Sequence, residues 1–115
     1  MEFRKAESKD SERIANVLVE SYNIHDLKEG ISVFANEVKK GHNYIVAVDD
    51  GKVVGIVTWV MHGLLKHELC ELDRIAVLPE CRGKGIAKEL FNKLIEDAKA
   101  FYEKNNSKLR KLYLL

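Results

Sequence analysis

The stretch from Ile75 to Leu90, Ile-Ala-Val-Leu-Pro-Glu-Cys-Arg-Gly-Lys-Gly-Ile-Ala-Lys-Glu-Leu, constrains this chain more than any other. An apolar strand end at Ile75, Ala76 and Val77 meets Pro79, which has no N–H to continue a ladder. A basic loop with Gly83 and Gly85 follows, and then an apolar helical stripe. A loop of that kind gathers backbone N–H groups at the positive end of a helix, where an anion such as phosphate binds. It lacks the Gly-Lys-Ser/Thr of a nucleoside-triphosphate loop and the first-strand position of a dinucleotide fingerprint.

The helix after the loop is legible from its period. Ile86, Leu90, Leu94, Ala98 and Tyr102, with Ala87, Phe91, Ile95 and Phe101, predict a helix to about Asn105. Upstream, Phe3 to Ala6 reads as a short strand. Ile14, Val17, Leu18, Ser21 and Tyr22 predict a helix over roughly Lys9 to Tyr22, with Ser8 as its N-cap. Leu27, Ile31, Phe34, Ala35 and Val38 predict a second, closed by Gly41. Tyr44 to Val48 and Lys52 to Val60 flank Asp50-Gly51, the signature of a hairpin.

A strand over about Glu68 to Val77 places Glu71, Asp73, Ile75 and Val77 on one face and Leu72, Arg74 and Ala76 on the other. Leu109 to Leu115 reads as a final strand, ending in bare apolar residues that call for a pairing partner. The order β-α-α-β-β-β-α-β, without repeat or linker, makes residues 1–115 one α/β (α+β) domain.

Composition narrows the function classes. With 19 basic and 18 acidic residues the net charge is +1, which offers no field for nucleic acid or an anionic membrane. The apolar run from Val53 to Met61 is far short of the ~18 residues of a membrane span. The N-terminus has no signal-peptide core, and two isolated thiols, Cys70 and Cys81, point to a reducing, cytoplasmic setting and to inert cysteines. His25, His42, His62 and His67 share no helical face, so no metal is expected.

Arg82, Gly85 and Ala87 fit the R/Q-x-x-G-x-G/A motif, following Leu72-Asp73-Arg74-Ile75-Ala76-Val77 and Leu78-Pro79-Glu80. With Phe3 to Asp10 and the element order, the chain resembles the GNAT superfamily of acyl-CoA-dependent N-acetyltransferases over nearly its whole length. The resemblance implies a mixed, mainly antiparallel central sheet. It also implies that a helix and two strands usually follow the strand at Leu109, with an Asn and a general-acid Tyr among them. The chain is thus expected to be a domain lacking that C-terminal part.

The resemblance implies acetyl-CoA as acetyl donor and a primary amine as acceptor, on a protein, a peptide or a small molecule. The pyrophosphate would lie on the N–H groups of Arg82, Gly83, Lys84, Gly85, Ile86 and Ala87, with charge from Arg82, Lys84 and Lys88. Ile75, Ala76 and Val77 would pair with the pantetheine arm as an added strand, and an amide there would polarise the thioester carbonyl.

An amine of pKa ~10.4 is roughly one part in 2,500 neutral at pH 7, so a base or a water relay helps. Glu71 is the first candidate general base and Asp73 the weaker one; the alternative for Glu71 is an ion-paired strand residue. Tyr22 and Tyr44 would line an acceptor pocket or merely pack with their hydroxyls outward. Two other functions stand beside catalysis: a non-catalytic acyl-CoA-binding module, and a truncated domain forming a homodimer through strand 109–115.

Overall fold

The computed structural model describes residues 1–114. Five strands form one sheet in chain order: β1 (Glu2–Lys5), β2 (Asn43–Asp49), β3 (Lys52–Met61), β4 (Leu69–Val77) and β5 (Lys111–Leu114). Every neighbouring pair is antiparallel except β4 with β5, which is parallel. The helices are α1 (Ser11–Ser21), α2 (Leu27–Lys39) and α3 (Ile86–Lys104). This is the expected element order and the expected mixed, mainly antiparallel sheet; Leu115, assigned to the last strand by its composition, lies outside the described residues.

Central strand β3 shows why the sheet sits between helices. Val53 to Trp59 are all buried, a continuous apolar run rather than an alternation, so both faces are covered. Trp59 packs against Phe101 and Tyr102 of α3 and donates from Nε1 to Asp97 at 2.9 Å, while α1 and α2 lie on the opposite face. The hairpin closes at Asp50 (φ 51°) and Gly51 (φ 73°), the positive φ values that the Asp-Gly pair predicts.

Helix α1 begins later than its periodicity suggests. A 3-10 turn spans Ser8–Asp10, and the buried Asp10 carboxylate takes two hydrogen bonds from Arg4 (2.8 and 2.9 Å) and one from the Glu7 amide (2.7 Å). Ser8 therefore does not act as the cap. Helix α2 is capped by Asp26, which accepts from the Glu29 amide at 2.9 Å, and Gly41 (φ 96°) turns the chain away beyond its end.

Strand β4 departs from simple alternation. Arg74 lies opposite Thr58, but Leu72 lies opposite Trp59, so Asp73 is the extra residue of a β-bulge. Thr58 Oγ1 accepts from the Arg74 amide at 2.9 Å, filling the gap in the ladder. The bulge breaks the expected sharing of one face by Glu71, Asp73, Ile75 and Val77. Asp73 and Arg74, consecutive in sequence, both reach the α2 side, and Ile75 and Val77 fall into register with Val57 and Gly55.

Candidate functional site: the cleft between β4 and the start of α3

Among the described residues, strand β5 pairs with β4 from Leu69 to Leu72 only. Beyond that point the outer edge of β4 has no strand neighbour among the described residues. A cleft of about 400 Å³ opens there, with Ile75, Ala76 and Val77 on one wall, Arg82, Gly83, Gly85, Ile86 and Ala87 on another, and Ser21 and Tyr22 closing the third side. The expected donor-binding residues are thus gathered around one space, with Lys84 and Lys88 exposed beside it.

The loop has the form an anion needs. The short 3-10 turn Pro79–Cys81 ends the strand, Gly83 (φ 81°) and Gly85 (φ 78°) take the left-handed conformation, and Gly85 caps α3. Among the described residues, the N–H groups of Gly83 to Lys88 donate to no backbone carbonyl; the next, Glu89, closes the first turn on Gly85 O at 3.1 Å. These free donors converge at the positive end of a 19-residue helix. Arg82 is turned partly inward, its Nε donating to Val77 O at 3.1 Å, so the side chain braces the loop against the strand.

On the free edge of β4 the Tyr22 hydroxyl makes two contacts with one residue. It donates to Ile75 O and accepts from Ile75 N, each at 3.1 Å. The Arg74 guanidinium stacks 4.7 Å over the Tyr22 ring, and burial raises the phenol above its ordinary pKa. Beside it, the Ser21 Oγ is buried with no hydrogen-bond partner among the described residues.

Arg74 is held by Glu37 of α2 through hydrogen bonds of 2.9 and 3.3 Å, and Tyr44 donates to the same carboxylate at 2.5 Å. Burial alone would raise the Glu37 pKa, but the bonds from Arg74 and Tyr44 outweigh it and hold the carboxyl below its ordinary value. Burial, and then the hydrogen bond to Glu37, push the Tyr44 phenol far up. Tyr44 is thus buried with its hydroxyl turned inward rather than outward, and its ring lines a second pocket, with Phe34 and His42, instead of this cleft.

The two candidate bases separate. Glu71 Oε1 lies 3.3 Å from His62 Nδ1, and the Tyr113 ring of β5 packs edge-on to that imidazole. Asp73 Oδ2 lies 3.2 Å from His42 Nδ1. Neither carboxylate lines the cleft itself; Glu71 lies on the part of β4 paired with β5, and Asp73 is the first residue beyond it.

Glu37, His42 and Asp73 bring ligand-type atoms within 4.8 Å of one another, a grouping that sequence spacing conceals because it joins α2, the following turn and β4. Arg74 already supplies positive charge to that group. Cys70 is buried, with its thiol pushed up to about 11 by desolvation, which fits the inert role expected of it.

Fold and cleft together define a class: an α/β domain in which a glycine loop with free amides links the fourth strand to a long helix. The profile of the Acetyltransferase (GNAT) family matches residues 9–114, and the chain belongs to that family. An uncharacterized N-acetyltransferase of Archaeoglobus fulgidus is 29% identical over 110 residues, spanning 85% of this chain and 74% of the relative.

A ribosomal-protein-alanine N-acetyltransferase from Brucella melitensis superimposes with a TM-score of 0.75 at 23% identity, covering 99% of this chain and 78% of that one. An aminoglycoside 6'-N-acetyltransferase complexed with coenzyme A does so with a TM-score of 0.76 at 16% identity, covering 99% and 61%. At those identities the two structures speak for the fold. No helix among the described residues is long and apolar enough to cross a membrane.

Proposed function

We propose that this protein transfers an acetyl group from acetyl-CoA to a primary amine by direct attack of the amine on the thioester. The observation that carries the reading is the cleft: unbonded amides of Gly83 to Lys88 at one end, an unpaired strand edge at Ile75 to Val77 leading away from them. An anion cradle beside a strand edge that no neighbouring strand covers suits a ligand with a diphosphate at one end and an extended, amide-bearing arm at the other.

The residues present fit such a donor. Gly83, Lys84, Gly85, Ile86 and Ala87 would hold the diphosphate through N–H groups, with Lys84 and Lys88 adding charge and Arg82 fixing the loop. Ile75, Ala76 and Val77 would align the arm along the strand, and an amide there would also polarise the acyl carbonyl. Acetyl-CoA supplies an activated acyl carbon: the new C–N bond forms as the C–S bond breaks, and the thiolate leaves.

Glu71 is the proposed general base. Its oxygen is in contact with the half-exposed imidazole of His62, which gives an abstracted proton a route to solvent. Asp73 is the second choice, because its near neighbours His42, Arg74 and Glu37 tie it into a structural network. Release of free CoA thiol with a panel of amines tests the activity. Glu71→Gln is expected to lower turnover by about 10²-fold and to remove the rising limb of the pH–rate profile; an unchanged rate removes Glu71 from the role.

A second reading has its own observation. Strand β5 is an edge strand, and Tyr113 and Leu114 on it are exposed. A homodimer joined through β5 would cover them, and light scattering over a concentration series tests it.

A further inference from the structure

In this structure the part of the strand edge that the donor's arm would use is already satisfied. The Ile75 N–H and C=O both point outward from the sheet, and a single phenol, that of Tyr22, bonds to both. A backbone edge left bare in a cleft would otherwise wait on water or ligand for its hydrogen bonds. Tyr22 is well suited to fill it. It is the first residue after α1, in extended conformation (φ −133°, ψ 170°), so its side chain leaves the helix end and crosses to β4. Arg74 stacks on its ring at 4.7 Å, and Glu37 fixes Arg74 in turn.

We propose that Tyr22 is a placeholder for the donor's arm: its hydroxyl bonds Ile75 in the free protein and is displaced when an acyl-CoA pairs with that edge. The inference rests on the donor site assigned above and adds to it a residue that discriminates between ligands. A molecule that uses only the loop, offering phosphates but no extended arm, leaves Tyr22 where it is. A ligand that continues along β4 has to exchange its own amide bonds for those of the phenol. Tyr22 is therefore a positioning and selecting group, acting through the strand edge rather than on the reacting atoms. The unpartnered Ser21 Oγ in the same wall is a polar group that the incoming arm would satisfy.

Two probes separate the donor site from the placeholder. CoA carries phosphates and arm; adenosine 3′,5′-bisphosphate carries phosphates alone. Calorimetric titration of the native protein and of Tyr22→Phe with both gives four dissociation constants. Loss of about one net hydrogen bond from the free state predicts that Tyr22→Phe binds CoA roughly three- to tenfold more tightly, with its affinity for the bisphosphate unchanged. Equal or weaker CoA binding by Tyr22→Phe, with bisphosphate binding intact, overturns the placeholder and leaves the donor site standing. Failure of both probes on the native protein overturns the donor site and the placeholder with it.

A second measurement needs no variant. In the native protein, CoA should shift the Tyr22 ring and Ile75 amide resonances, whereas the bisphosphate should move only loop amides. Tyr22 and Ile75 resonances unmoved by saturating CoA would refute displacement.

Discussion

Replacing Gly30 with alanine tests how closely α1 and α2 are held together, and with them the position of Tyr22. A Cβ built at Gly30 meets the Ala15 Cβ at 2.8 Å, its Cα at 2.9 Å and its carbonyl oxygen at 3.0 Å. Ordinary contacts begin near 3.4 Å, so the helices would have to part by about half an ångström. Two of the three atoms are backbone and cannot rotate aside. Helix propensity alone favours alanine over glycine by roughly 1 kcal/mol. Overpacking at a rigid contact costs about 1–3 kcal/mol, and backbone neighbours place this site at the upper end. The net expectation is a loss of about 1–2 kcal/mol, or roughly 4–8 °C in Tm for a domain of this size. Circular dichroism melts of Gly30→Ala measure it. The double variant Ala15→Gly/Gly30→Ala, which removes the closest contact, should recover more than additivity allows, by about 0.5 kcal/mol or more. A Gly30→Ala protein that melts at or above the native temperature would show that the propensity gain wins and that the α1–α2 spacing is loose.

The Asp10 carboxyl is held below its ordinary pKa by the hydrogen bonds from Arg4, against its burial, so it stabilises the fold above about pH 4 and that contribution disappears as pH falls further. Asp10→Asn should therefore lose about 2 kcal/mol at pH 7 in urea titrations and show a flatter decline below pH 4; an unchanged acid limb would refute the assignment. Lys84 and Lys88 are exposed beside the loop, so Lys84→Ala/Lys88→Ala should change stability by less than about 0.5 kcal/mol. The same variant should weaken CoA binding severalfold and flatten its salt dependence, and a native salt slope would remove both lysines from the donor site.

What could be read from the sequence was local chemistry. The Asp50-Gly51 hairpin and the α3 stripe each depend on neighbours in the chain, and each stands where its residues place it. The loop at Gly83 and Gly85 was legible for the same reason, since positive φ and a helix start are written in consecutive residues. The mixed, mainly antiparallel character of the sheet needed the family resemblance, because periodicity says which residues face inward and not which strand lies beside which. The start of α1 was misread by two residues: Ser8 has the composition of a cap, but Asp10 is drawn into Arg4 of β1, a tertiary contact that periodicity does not register.

The bulge at Asp73 was the least legible element and the one with most consequence for the site. In a regular strand Asp73 and Arg74 would point to opposite faces. Nothing in the composition of β4 announces the extra residue, because the compensation comes from elsewhere: the Thr58 hydroxyl on β3 accepts from the Arg74 amide. With the bulge, Arg74 turns toward α2, where Glu37 holds it and it stacks on Tyr22. Ile75 then follows with its N–H and C=O outward, within reach of the same phenol, which is 53 positions distant in sequence. One unpaired residue thus sets both the direction of the strand edge and the side chain that occupies it. An alternation read along β4 assigns each residue a face, but the parity change at Asp73 decides which of them meet.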